Sequence, residues 1–219
     1  VLVEVDDKRK PVATKLLRAV DGLQVEGSGD AGAVLKDARA YRILGRHALV
    51  TAGADGQPRV LRLLDLATGK DVWRKELDAK AVPLTAPLNP EWTGFVSPDG
   101  TAEVLAVRTG EVVATLKVDP KNLDAHVAPA VGAQLLADGD RFYLFLDRDR
   151  NAPGTNGNRP VQVYNNAMIR SQKVNGPVYA FDRGTGKRLW YYEGLFEHQW
   201  LVLDQFAELP VLIASAPVT

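Results

Sequence analysis

Apolar positions along this chain gather into short runs bounded by Asp-Gly, Gly-rich or Pro-containing breaks. Their β-branched and aromatic content fits strands better than helices. Three such runs are HALVTAG (47–53), WTGFVS (92–97) and RFYLFL (141–146). Ahead of each lies a further strand candidate, in ARAYRILG (38–45), AVPLTAPL (81–88) and VAPAVGAQLL (127–136). Behind each follows a strand, a tight turn and a strand: LLDLATGKDVW (63–73), VLAVRTGEVVATL (104–116) and YAFDRGTGKRLW (179–190). The chain therefore predicts three units of four antiparallel strands each.

The last segment of each unit repeats. Asp65 and Asp182 stand three residues before Thr68-Gly69 and Thr185-Gly186, and Trp73 and Trp190 stand five after the Thr. The middle copy keeps Thr109-Gly110 but has Ala106 and Ala114 where the others have Asp and Trp. Thr68 and Thr109 are 41 residues apart, the length of a four-stranded propeller blade, whereas Thr109 and Thr185 are 76 apart. Glycine supplies the positive φ of a tight turn, threonine offers a hydroxyl to nearby backbone, and the aspartates can accept from turn amides. Trp73 and Trp190 are expected to fill the wedge between neighbouring blades, and Ala114 predicts a thinner contact at the middle one.

The extra length belongs to one connection. Residues 54–59 join the second and third strands of the first unit, whereas residues 147–177 do so in the third. A connection of that length is more often functional or disordered than idle. It opens turn-rich, and then VQVY, Asn165-Asn166 and AMIRSQ read as a small hairpin with the two asparagines at the turn. At the chain ends, VLVEV and VATKLL resemble the last two strands of a blade, and EHQWLVL and LPVLIASAPV the first two of another; joined, they would form a composite blade that closes a ring. The expected organisation is one all-β propeller region over 1–219, a partial ring or arc: a lead-in and half-blade (1–40), blades at 41–77, 78–118 and 119–195, the last carrying the 147–177 insertion, and a half-blade (196–219).

With 46% hydrophobic residues the chain can bury a sizeable core. Lys plus Arg (27) equal Asp plus Glu (27), which removes the field that would draw it to nucleic acid or an anionic bilayer. The absence of cysteine excludes disulfides, thiolate metal sites and cysteine nucleophiles. No apolar run approaches the ~20 residues of a membrane helix, so no membrane insertion is expected. The chain opens on Val1 without an initiator Met or a signal peptide, which reads as a mature or excised piece of something longer.

The repeat, with its Asp-x-x-Thr-Gly-x-x-x-Trp spacing in two clear copies, resembles that of the pyrroloquinoline-quinone (PQQ) type β-propellers. That family contains quinoprotein alcohol dehydrogenases and non-catalytic relatives, such as the propeller lipoprotein of the outer-membrane β-barrel assembly machinery. The resemblance covers about residues 40–200. It implies a propeller of four-stranded blades and an extracytoplasmic place in bacteria, in the periplasm or cell envelope. In the dehydrogenases the quinone lies between a Trp and a disulfide of adjacent cysteines, over a calcium held by Glu, Asn and Asp. This chain has no cysteine and no matching cluster, so no cofactor, metal or catalytic residue is carried over.

Three other patterns have plainer readings. Gly27, Gly29 and Gly32 form a GxGxxG with Asp55 downstream, but Gln24 and Glu26 interrupt the strand before it and no βαβ unit follows, so an ordinary Gly-rich connection is preferred to a nucleotide site. Asp147, Asp149 and Asn151 have calcium-loop spacing, but Ala152 and Asn158 stand where a glycine and a bidentate Glu belong, which favours a solvated turn. His47, His126 and His198 match no metal-ligand spacing and read as surface or strand-end histidines; a G-x-S-x-G elbow is absent.

The function expected is a non-catalytic scaffold whose partner is another protein or the remainder of a larger propeller. Tyr164, Met168, Ile169 and Arg170 of the insertion are the expected contact residues, because aromatic, Met and Arg side chains are enriched in interface cores. The readings weighed against it are a fragment of a quinoprotein dehydrogenase and a sensor that binds a small molecule in the axial channel.

Overall fold

A computed structural model of the chain describes residues 2–5, 7, 11–15, 23, 38–53, 57–148, 163–166, 169–192, 199–202 and 214–215. The chain divides into two compact units, one of Val1–Ala81 with Ala106–Glu111 and one of Val82–Leu105 with Val112–Thr219.

The first unit holds the short hairpin β1 (Leu2–Val5) and β2 (Pro11–Lys15), and the four-stranded meander β3 (Ala38–Leu44), β4 (His47–Ala52), β5 (Arg59–Asp65) and β6 (Lys70–Leu77). Each strand of the meander pairs antiparallel with the next. Alternation directs Ala48, Val50, Leu64 and Leu66 into one buried cluster. The outer strand β6 is exposed at Lys70, Asp71, Arg74 and Glu76, charges that blunt a free sheet edge.

The second unit is built on an eight-stranded sheet in the order β10-β9-β8-β7-β11-β12-β15-β16. Its strands are β7 (Val82–Thr85), β8 (Trp92–Val96), β9 (Thr101–Ala106), β10 (Val112–Lys117), β11 (Ala130–Ala137), β12 (Arg141–Arg148), β15 (Val178–Asp182) and β16 (Arg188–Tyr192). It comprises two four-stranded antiparallel meanders whose first strands meet in parallel, with Leu84 opposite Ala133 and Thr85 opposite Gln134. First strand beside first strand is how blades meet about an axis, and the fold is that of a partial β-propeller with four-stranded antiparallel blades.

The apolar run of β12 shows why these blades cohere. Phe142, Leu144 and Leu146 enter a core with Trp92, Val104, Leu116, Leu135 and Phe181. Tyr143 and Phe145, on the other face, join Leu136, Val178, Ala180, Val174 and Leu201. A strand buried on both faces must be apolar throughout. Each of these large side chains contributes roughly 1.5–3 kcal/mol by leaving water.

The remaining sheet joins the insertion to the end of the chain, in the order β13 (Val163–Asn166), β14 (Ile169–Val174), β17 (Gln199–Val202) and β18 (Ala214–Ser215). The expected hairpin is present as β13 and β14, but Asn165 and Asn166 lie within β13, and the register pairs Asn166 with Ile169. The hairpin extends into a larger sheet: β14 pairs antiparallel with β17, which has β18 on its other edge. Among the described residues no helix is long and apolar enough to cross a membrane.

Candidate partner-binding face

The insertion leaves and re-enters the sheet of the second unit through a closed neck. The amide of Leu146 donates to the carbonyl of Pro177 at 3.1 Å, and that of Arg148 to Asn175 at 2.8 Å. The carboxylate of Asp147 accepts the amide of Asn175 at 2.9 Å and, through its other oxygen, the side-chain amide of Gln134. Asp147, Gln134 and Asn175 are buried, so these partners replace water that the groups have lost. A Cβ at Gly176 would stand 1.9 Å from the carbonyl oxygen of Leu146, which restricts the position to glycine. Asp147 is thus not the solvated turn residue that the calcium-like spacing suggested; it is an interior acceptor at the end of β12, while Asp149, Asn151 and Asn158 lie outside the described residues.

Next to the neck runs the connection from β10 to β11, folded as two short helical turns, Pro120–Asn122 and Leu123–Val127. Asp119 caps the first by accepting from the amide of Lys121 at 3.2 Å, and Pro120 supplies a fixed φ at the first helical position. The guanidinium of Arg148 donates to the carbonyl of Ala125 at 2.7 Å and ties this connection to the neck.

The helical turns carry Asn122 and His126 inward onto Tyr179 of β15. Asn122 donates to the Tyr179 hydroxyl at 3.3 Å, and the same hydroxyl pairs with Nδ1 of His126. That hydroxyl can donate to Nδ1 or accept from it, according to the tautomer of His126. Burial pushes the Tyr179 hydroxyl up to about 12. Tyr191 stacks on Tyr179 with centroids 5.5 Å apart, and the charges of Lys121 and Arg188 each lie 5.7 Å from the Tyr191 centroid. Arg188 also pairs with Asp119 at 3.0 Å. His126 is therefore buried in the interior rather than at the surface or a strand end. His47 begins β4 half-buried, and His198 lies outside the described residues. This group holds the β10–β11 connection against its blade.

The repeated turns have one local chemistry. Gly69, Gly110 and Gly186 have φ of 69°, 73° and 69°, and each amide donates to the carbonyl four residues back, on Asp65, Ala106 and Asp182. Asp182 accepts both the hydroxyl of Thr185 at 2.6 Å and its amide at 2.8 Å, hydrogen bonds that hold its carboxyl below the usual range. Asp65 accepts from the amide of Ala67 and from Arg46 at 2.7 Å; burial opposes ionisation there, but these donors with Arg46 and His47 keep its carboxyl below the usual range.

The tryptophans differ from one another. Trp73 is half-buried, donates from Nε1 to the carbonyl of Val107 at 2.8 Å and lies against Gly110. Trp190 was expected in an equivalent wedge but is 41% exposed, with Tyr143 beside it at 6.2 Å between centroids. In the middle copy, where Ala114 replaces Trp, Gly186 approaches the backbone directly: a Cβ there would stand 2.6 Å from the carbonyl oxygen of Thr115.

Of the expected contact residues, Tyr164 lies in β13 opposite Ser171, and Ile169 and Arg170 open β14; Met168 falls outside the described residues, as do Gly27, Gly29, Gly32 and Asp55. The neck, by contrast, joins Gln134, Asp147 and Asn175 from three separate segments, and the only sequence signal for it was the length of the connection.

The chain matches no protein-family model, and no curated protein matches it. Among solved structures it is similar to BamB from Moraxella catarrhalis, at 14% identity and a TM-score of 0.34 over 75% of this chain. The match spans 57% of the length of that BamB chain. It is also similar to the computationally designed Ika4 protein, at 13% identity and a TM-score of 0.36, over 83% of this chain and 91% of that one.

Proposed function

We propose that the chain is a non-catalytic β-propeller scaffold of the PQQ-repeat type that binds another protein through the insertion between β12 and β15. The observation that carries this reading is the neck. A long connection whose two ends are locked by Asp147, Asn175 and Gly176, and whose hairpin pairs with β17, presents its residues on a fixed base. A preformed base spares the ordering cost that a loose loop would incur on binding. Tyr164, Met168, Ile169 and Arg170 supply the contact, in an extracytoplasmic assembly of a bacterium, the setting implied by the resemblance of the two Asp-x-x-Thr-Gly-x-x-x-Trp copies.

The test places a photo-crosslinking amino acid at Tyr164 or Arg170, and at the exposed Arg74 of β6 as a control, in cells of the source organism. Discrete crosslinked species from 164 and 170 but not from 74 are expected. Equal or absent crosslinking at all three positions overturns the proposal.

A further inference from the structure

His126 is 6% exposed on the second helical turn of the β10–β11 connection, and its Nδ1 meets the Tyr179 hydroxyl, which also takes the amide of Asn122 at 3.3 Å. Asn122 and His126 are thus polar pins of residues 120–127, and Leu123 and Val127 add apolar contact with the core. The titratable and charged groups around the ring, among the described residues, are Asp119, Lys121 and Asp124 of its own connection, Arg148 of β12, Tyr179 of β15, and Arg188 and Tyr191 of β16. Lys121 and Arg188 each hold their charge 5.7 Å from the centroid of Tyr191, itself 6.3 Å from that of His126. Asp119 already pairs with Arg188 at 3.0 Å, and Asp124 is exposed. The Tyr179 hydroxyl, raised to about 12, stays neutral throughout the range in which histidine titrates. Burial and the two cations both oppose an imidazolium at this place. An imidazolium also has no acceptor, so the hydroxyl oxygen would have to serve two donors at once.

We propose that the β10–β11 connection is a proton-gated strap: neutral His126 keeps it on Tyr179, and protonation of that ring in mild acid lifts the strap and, through Arg148, loosens the neck of the insertion. Arg148 is the link because its guanidinium donates to Ala125 within the strap at 2.7 Å, while its amide donates to Asn175 across the neck at 2.8 Å. The sign follows from burial. As the pH falls the open strap takes up the proton first, so the closed form is fully favoured above the ordinary histidine value of about 6.5 and loses ground below it. An open form that titrates at that value gives about tenfold more opening at about pH 5.5 than at about pH 7.5. The gate is a property of this segment and does not depend on what the insertion binds.

The test is native-state hydrogen exchange on the full chain at about pH 7.5 and about pH 5.5, with rates corrected for intrinsic exchange. The reporters are the amides of Asn122 and Ala128, bonded to Asp119 and Leu123 within the connection, and that of Arg148 in the neck. All three are expected to lose about tenfold in protection in acid, while the amide of Gly110, bonded to Ala106 in the other compact unit, does not change. In His126→Gln, which keeps a polar side chain and cannot titrate, the acid response is expected to vanish. In Arg148→Met the strap amides are expected to respond still, and the amide at position 148 no longer. An imidazole signal of His126 that titrates at or above about 6.5 overturns the proposal. So does an equal acid response in His126→Gln, a neck amide that fails to follow the strap in the unaltered chain, or one that still follows it in Arg148→Met.

Discussion

The ring of Trp73 fills the space in which a side chain at Gly110 would begin, 2.7 Å from Cδ2, while its N–H reaches the carbonyl of Val107. One residue thus reads both the shape and the polarity of the next repeat's turn. Trp73→Ala is expected to cost about 2–4 kcal/mol, at the lower side of a core tryptophan because the ring is half-buried. Gly110→Ala should cost about 1–3 kcal/mol through strain at φ 73° and the clash with the ring. Because the clash disappears with the ring, the double variant should cost less than the two single changes together. Urea unfolding of all four proteins measures that coupling, and strict additivity would separate the two residues energetically.

Asp182 and Asp65 give the turns a dependence on acid. Both carboxyls titrate below their ordinary value of 3.8, Asp182 through the Thr185 hydroxyl and amide, Asp65 through Ala67 and Arg46 against the opposing effect of burial. A depressed folded value means that the unfolded chain takes up the proton first as the pH drops. The stabilisation is therefore complete above about pH 4 to 5 and is lost as the pH falls through 3.8 and on through the folded values. Asp182→Asn should flatten the lower limb of the stability curve between about pH 4 and 2 and leave its shape at neutral pH unchanged. Denaturant midpoints at stepped pH measure it, and an unaltered acid limb would count against the assignment.

Tyr179 gives an opposite dependence on alkali. Its hydroxyl is raised from 10.0 to about 12, so between these values the folded chain keeps a proton that the unfolded chain has lost. The associated stability is complete below pH 10 and disappears as the pH rises towards 12. Tyr179→Phe should abolish that alkaline loss. It should also lower stability at pH 7 by about 1–3 kcal/mol, because the buried amide of Asn122 and Nδ1 of His126 lose their partner. Tyrosinate absorbance followed together with unfolding distinguishes the two effects.

The elements that were legible in the sequence are those set by local chemistry. Thr-Gly turns at 68, 109 and 185 and apolar runs such as RFYLFL place strands and breaks within a few residues, since turn geometry and alternation act over short separations. The blade as a unit followed from their repetition. What was not legible depends on partners far along the chain. His126 reads as isolated because Tyr179 lies 53 residues away, and Asp147 reads as a loop aspartate because Asn175 lies 28 residues away. Asn165 and Asn166 looked like turn residues on their intrinsic preference, yet the register of β13 on β14 pairs them with Arg170 and Ile169 and puts both in a strand. Trp190 carries the same motif as Trp73, and no motif reports how exposed its ring is.

The neck of the insertion offers the sharpest separation of backbone from side-chain effects. At Gly176 an alanine Cβ would meet the carbonyl oxygen of Leu146 at 1.9 Å, and since that carbonyl belongs to β12 the collision can be relieved only by parting the strands. Gly176→Ala is expected to cost about 3 kcal/mol and to open the Leu146–Pro177 and Arg148–Asn175 hydrogen bonds. Asp147→Asn keeps an acceptor for one of its two donors but turns an amide group towards the other, a loss of about 1–3 kcal/mol with the backbone geometry retained. Hydrogen exchange should therefore accelerate at the amide of Asn175 in Asp147→Asn, and at the amides of Leu146 and Arg148 in Gly176→Ala. If Asp147→Asn releases Leu146 as well, the carboxylate rather than the glycine holds the strands together at this point.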